Sequence, residues 1–267
     1  MSAKSAAWEP PLFFVGDHRW GEMIARFVLK SALDFDFGDI MTQAGPLQWR
    51  TGSGWLILLG GGRWDDSETI HSQAISAILD ESPIAFLPAA NPSDPTYGEA
   101  FLSYYRELGA PHGYVVPVRD QQSARDPLNY RRLAQAGLIF IGGGDTQRLI
   151  EAVEGTPVIE AVAEAFDSGA VIVGVSAGAM LLGKWGLSSD TGKILPGWGW
   201  VSDSIIVTHY TPERAPQVRG ALQRYPETIA LGIPDSVALA LGPDGELETW
   251  TDMLQQITVT IGPKFGR

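Results

Sequence analysis

From residue 54 onward the chain alternates short apolar runs, most of them ending in glycine, with longer stretches of helical period, and few folds accommodate that rhythm. Short continuous apolar runs are strands buried on both faces, which calls for a parallel sheet with helices on either side. Trp55 to Leu59 leads into Gly60-Gly61-Gly62, Ile84 to Leu87 into Pro88-Ala89-Ala90, Leu138 to Ile141 into Gly142-Gly143-Gly144, and Val171 to Val173 into Gly174, while Tyr114 to Val118 follows Gly113. Between them, Glu68 to Leu79, Tyr97 to Leu108, Thr146 to Ala152 and Pro157 to Ser168 repeat apolar residues at three- and four-residue spacing, as crossover helices do. The expected fold is therefore α/β: a doubly wound, mostly parallel sheet flanked by helices.

Residues 1–53 are less regular, with W-E-P-P near the start, an expected helix from Trp20 to Leu33, and F-D-F-G-D after it. They are read as an N-terminal extension packed on a catalytic α/β domain of residues 54–267. Three roles are open for the extension: covering a sheet edge, making the contact of a homodimer, or restricting a pocket. After Ile194 the chain is turn-rich, with L-P-G-W-G-W, and then offers strands at Ser204 to Thr208, Ile229 to Ile233, Val237 to Leu241 and Leu247 to Thr249. The P-D-G-E at Pro243 to Glu246 has the composition of a hairpin turn.

Composition removes several function classes. Hydrophobic residues are 45% and charged residues 19% of the 267, enough apolar material for a sizeable core. A net charge of -12, with no cluster of Lys and Arg, is the wrong surface for phosphate, so nucleic acid and anionic membrane are not expected partners. The chain has no cysteine, so a covalent nucleophile must be an oxygen or an amine, and thiolate metal sites are excluded. No run approaches the ~18 apolar residues of a transmembrane helix, and M-S-A-K-S-A-A-W-E-P-P lacks the apolar centre of a signal peptide, so a cytoplasmic location is expected.

The chemistry centres on V-I-V-G-V-S-A-G-A-M-L-L-G, where Gly174 to Gly178 matches G-x-S-x-G in full. A buried strand followed at once by small residues and a helix starting near Ala177 would present Ser176 at a tight turn, with the helix N-terminus aimed at developing negative charge. The serine needs a base, and of the four histidines only His209 follows the elbow, at the end of the apolar strand S-I-I-V-T. His71 in a helix pattern and His112 in a P-H-G turn are read as structural. A carboxylate should orient the imidazole. Asp190 in S-S-D-T-G is preferred; Asp203, roughly 20 Å back along a straight strand, and Asp235 in G-I-P-D-S are its competitors. The loop I-F-I-G-G-G-D-T offers backbone N–H groups at Gly144 and Asp145 as the second half of an oxyanion hole. The first glycine loop, G-G-G-R-W-D-D, is read mainly as a turn.

These motifs together resemble the dipeptidase E and cyanophycinase family of serine peptidases, built on the class I glutamine amidotransferase-like fold. The likeness covers about residues 54 to 242 and rests on L-L-G-G-G, F-I-G-G-G-D-T-Q-R-L, G-V-S-A-G-A, V-T-H-Y followed by Arg214 and Arg219, and A-L-G-I-P-D-S-V-A-L-A-L. The resemblance implies a Ser-His-acid peptidase with an oxyanion hole from Ala177 and Gly144, and substrate contacts from Gln147, Arg214 and Arg219. Relatives cleave aspartyl dipeptides or the β-aspartyl-arginine polymer cyanophycin. Two departures bear on substrate: Thr146 stands between the G-G-D and Gln147, and the arginines after the histidine are more widely spaced than in the cyanophycin enzymes.

The expectation is a serine peptidase that hydrolyses small peptides through an acyl-enzyme, using no metal and no cofactor. Its rivals are a cyanophycinase-like hydrolase, a small-molecule esterase or amidase with the same triad, and a non-catalytic ligand-binding protein that retains the fold. The last is separated from the others by whether His209 lies within hydrogen-bonding reach of Ser176.

Overall fold

A computed structural model describes residues 47–266. The expected helix from Trp20 to Leu33, with most of the expected extension, lies outside the described residues. The chain enters beside Trp200 to Ser202, where Trp49 bridges Val201 and Arg50 N–H donates to the Trp200 carbonyl at 2.6 Å.

The five short apolar runs form strands: β1 (Leu56–Leu59), β2 (Ile84–Leu87), β3 (Gly113–Val115), β4 (Leu138–Ile141) and β5 (Val171–Val175). They hydrogen-bond in the order β1-β5-β4-β2-β3, all parallel. β10 (Val237–Leu241) and β11 (Leu247–Thr251) extend the β1 edge antiparallel, giving seven strands in one sheet. Alternation along each strand sends side chains into two separate layers. Leu56, Leu58, Ile139 and Ile141 join one buried cluster, whereas Ile57, Leu59, Leu138 and Phe140 join the other.

The second layer is covered by α1 (Glu68–Ser76) and α2 (Pro95–Glu107), whose Ile70, Ala74, Phe101 and Tyr105 are buried there. Phe101 lies 4.6 Å from Phe86 and 4.5 Å from Phe140, ring to ring, contacts that add about 0.5–1.5 kcal/mol each beyond burial. The first layer takes α3 (Pro127–Ala134), α4 (Thr146–Val153) and α5 (Val158–Asp167). Asp94, Asp126 and Asp145 cap α2, α3 and α4 by accepting backbone N–H groups, and Pro95 and Pro127 stand at the first helical positions, where no amide hydrogen is missed.

A second sheet was not anticipated. It holds β6 (Gly183–Leu187), β7 (Ile194–Pro196), β8 (Val201–Thr208), β9 (Ile229–Ile233) and β12 (Thr258–Ile261), in the order β12-β9-β8-β6-β7. β6 runs parallel to β8 and β8 parallel to β9. β6 reads G-K-W-G-L, with none of the continuous apolar character of the central strands, and β7 and β12 are short edges. α7 (Ala215–Arg224) follows β8. The two sheets meet over α6 (Ala177–Leu182), whose six residues are all buried; a helix with no polar face has to be enclosed. The fold is mixed α/β with helix-flanked sheets, as expected, and the core is shared between both sheets: Ile206, Ile229, Leu231 and Ile233 of the second pack in the same cluster as Leu56 and Leu58 of the first.

Candidate active site

Strand register brings five strand ends to one place. Leu59 is level with Val175, Ile141 with Gly174, and, in the other sheet, Thr208 with Ile233. The next residues are Gly60, Ser176, Gly142, His209 and Pro234. Sites collect at the C-terminal ends of parallel strands because that is where the loops converge.

Ser176 has φ 51° and ψ −108°, a conformation non-glycine residues rarely adopt. It is held by its N–H on the Leu59 carbonyl at 3.0 Å and by its own carbonyl, which accepts from Met180 N–H at 3.0 Å. The elbow glycines let α6 fold back tightly on the sheet: a Cβ at Gly174 would stand 2.6 Å from the Gly178 carbonyl carbon, and one at Gly178 would stand 2.3 Å from the Ile141 carbonyl oxygen. The hydroxyl is thereby turned out of the strand, where Oγ lies 2.8 Å from His209 Nε2. His209 Nδ1 lies 2.6 Å from Asp235 Oδ1. With the imidazole neutral and its proton on Nδ1, donated to Asp235, Nε2 is free to accept from the serine hydroxyl.

His209 also sits in the left-handed region, at φ 50°. Its N–H donates to the Gly60 carbonyl at 3.1 Å, and Ser236 N–H, next to Asp235, donates to the Gly61 carbonyl at 2.9 Å. A Cβ on Gly61 would fall 2.2 Å from His209 Cε1 and 2.7 Å from Asp235 Oδ1. The first glycine loop, read mainly as a turn, is the seat of the histidine–aspartate pair.

The second glycine loop backs the serine. A Cβ on Gly143 would lie 3.3 Å from Ser176 Cβ. Tyr97 packs beneath this loop, stacked on Trp64 at 5.8 Å, and a Cβ on Gly142 would lie 3.2 Å from its ring. Burial raises the Tyr97 pKa, so the phenol stays protonated. Gly144 and Ala177 N–H have no protein partner among the described residues, as oxyanion donors require.

Several expected residues are used otherwise. Asp190, the preferred acid, is exposed in the turn between β6 and β7, accepts from Ser189 Oγ at 3.1 Å, and lends its charge to Arg214. Asp235 takes the place expected for Asp190. The pairing of β8 with β9 sets Thr208 level with Ile233, so His209, one residue on, and Asp235, two residues on, leave the same end of neighbouring strands. Asp203 forms an ion pair with Lys184 at 2.6 Å. Asp145 is not an available oxyanion donor, because its N–H is bonded to the Ala90 carbonyl at 3.0 Å and its carboxylate caps α4. Gln147, exposed, donates to Glu151 at 2.8 Å along the same helix. Arg214 is turned toward backbone carbonyls of the protein itself. Arg219 is exposed on α7. His71 is buried and its pKa is lowered to about 4 by burial, in keeping with a structural role. Among the described residues there is no cluster of metal-ligating side chains and no helix long and apolar enough to cross a membrane.

Comparison with known proteins agrees with this architecture. The chain is 26% identical over 189 residues to a cyanophycinase of Geminocystis herdmanii, covering 67% of this chain and 68% of that one. It is 24% identical over 238 residues to a cyanophycinase of Trichormus variabilis, covering 82% and 78%. Two solved structures share the fold: a peptidase from an acI-B1 Actinobacterium, with TM-score 0.60, 20% identity, and 81% of this chain and 94% of that one covered, and a putative peptidase E from Listeria monocytogenes, with TM-score 0.53, 16% identity, and 74% and 98% covered. The model of peptidase family S51 matches residues 56–247, so the chain belongs to this family of serine peptidases.

Proposed function

We propose that Ser176, His209 and Asp235 form a catalytic triad that hydrolyses a peptide or isopeptide bond in small peptides through an acyl-enzyme. The observation that carries this reading is the unbroken relay from Ser176 Oγ to His209 Nε2 at 2.8 Å and from His209 Nδ1 to Asp235 Oδ1 at 2.6 Å. Ser176 Oγ attacks the scissile carbonyl as His209 takes its proton, and the negative charge on the carbonyl oxygen falls to Gly144 and Ala177 N–H. The amine leaves with the proton from His209, and water repeats the sequence on the acyl-serine. Asp235 holds the imidazole tautomer throughout. Aspartyl dipeptides are the first substrates to test, after peptidase E. The β-aspartyl-arginine polymer is the second, favoured by the cyanophycinase name of two relatives.

The decisive experiment compares three variants on both substrate types by steady-state kinetics and product analysis. Ser176→Ala should lose about 10⁶-fold in kcat and Asp235→Asn about 10⁴-fold, whereas Asp190→Asn stays within a few-fold of the native protein. Comparable losses from both aspartate variants would sink the assignment of the acid.

A further inference from the structure

Arg214 lies where the family resemblance expects a substrate contact, yet its guanidinium faces inward. Nη1 donates to the Thr208 carbonyl, Nη2 to the Leu187 carbonyl at 3.1 Å, and Nε to Gln217 Oε1 at 3.3 Å. Thr208 and Leu187 are the last residues of β8 and β6, so one planar fork holds two strand-end carbonyls. Partial burial depresses the Arg214 pKa, and the Asp190 charge acts in the opposite sense, supporting the cation.

The Thr208 carbonyl and the His209 N–H belong to a single peptide unit, which is planar and stiff. Arg214 holds its oxygen, and the Gly60 carbonyl holds its N–H at 3.1 Å. With that plane pinned at both polar atoms, the φ of 50° fixes the direction of the His209 Cα–Cβ bond, from which the imidazole reaches out. A non-glycine residue at that φ is strained and persists only where its surroundings over-determine it.

From this we infer that Arg214 is a positioning residue for His209, fixing the plane from which the imidazole reaches Ser176, and does not anchor substrate. The inference rests on reading His209 as the base. Lysine at this position keeps the charge but cannot span two carbonyls, so the two roles predict different outcomes.

The test uses a small alkyl fluorophosphonate on the full chain. In that reaction the Ser176 oxygen bonds to phosphorus, fluoride leaves, and the serine proton passes to His209, with no peptide side chain to recognise. Arg214→Gln and Arg214→Lys are compared with the native protein, labelling rates being normalised to the folded fraction from thermal melting. Both variants should label about 10- to 100-fold more slowly, the penalty of a slightly misplaced base, and peptide hydrolysis should lose kcat with KM little changed. A loss of stability alone would lower the melting temperature without slowing the folded fraction, and would overturn the inference. So would native labelling rates in Arg214→Lys combined with a raised KM for peptide, the pattern of a substrate anchor. A native protein that fails to label at Ser176, with Ser176→Ala as the blank, would overturn the triad reading and the inference together. Slow labelling of the Arg214 variants beside a reactive native protein supports both.

Discussion

Two loops in this protein read almost alike in sequence, and they do opposite work. Gly60-Gly61-Gly62 follows L-I-L-L and Gly142-Gly143-Gly144 follows L-I-F-I, each strand buried along its whole length. The first loop offers carbonyls: Gly60 accepts from His209 N–H and Gly61 from Ser236 N–H. The second offers an N–H group, that of Gly144, which is left without a protein partner among the described residues. A glycine run after a buried strand therefore marks close approach at a sheet edge, and the facing elements decide what approaches. The largest effect that would test the contrast is Gly61→Ala. At φ 137° and with a Cβ 2.2 Å from His209 Cε1, alanine displaces the imidazole and its aspartate together. Turnover should fall about 10³- to 10⁴-fold, close to removal of the triad acid. Loss of less than tenfold would mean that the first loop is only a turn.

Gly144→Ala tests the other loop. Its φ of 140° suits glycine alone, and a Cβ there would lie 2.5 Å from the Ala90 carbonyl oxygen, so the peptide carrying the Gly144 N–H has to shift. One oxyanion donor is worth about 10²- to 10³-fold in kcat, and the histidine pair is untouched. The distinguishing readout is a peptide aldehyde or boronate that places an oxyanion in the hole: its affinity should weaken in step with kcat for Gly144→Ala. Asp145→Ala is a smaller perturbation beside it. Losing the α4 cap should cost about 1 kcal/mol of stability and little turnover, because the Asp145 N–H is committed to Ala90 in either case. A turnover loss matching that of Gly144→Ala would return Asp145 to the oxyanion hole.

This difference between the loops also measures what could be read in the sequence. Period and punctuation placed β1, β2, β4, β5, β9 and β10, since a short apolar run flanked by glycine or proline has few alternatives. The juxtaposition of Ser176 and His209 was legible for the same reason, each lying at a strand end. The second sheet was not, because β6 carries two glycines and a lysine and becomes a strand only through its pairing with β8. Asp235 could be weighed but not chosen. Its selection depends on the parallel register of β8 and β9, a long-range fact, and chain order between nucleophile and base pointed to Asp190 instead. Arg214 shows the same limit: the sequence supplies a guanidinium after the histidine, and only the fold turns it inward.

The smallest expected effect on turnover concerns the layer beneath both loops. α1 leaves the first loop and carries His71, whose ring lies 5.9 Å from Phe140, the strand residue one position before the end of β4. His71 Nδ1 meets the Tyr105 hydroxyl at 2.9 Å, while Nε2 is buried without a partner. An imidazolium there would bury a second N–H with nothing to accept it, and burial lowers the pKa from 6.5 to about 4. The unfolded chain therefore binds this proton first as pH falls. The stability contribution is complete above pH 6.5, declines between 6.5 and about 4, and is flat below that, with a total of about 3 kcal/mol. Denaturant unfolding of the native protein and of His71→Leu across pH 7.5 to 4 isolates it: the variant should lack this part of the slope. Turnover per folded molecule at pH 7.5 should be little changed, since both loops rest on the layer without drawing a proton from it. A steep loss of kcat in His71→Leu at full folding would show that the aromatic layer sets the geometry of the loops above it, and the contrast between them would then be a property of that shared floor.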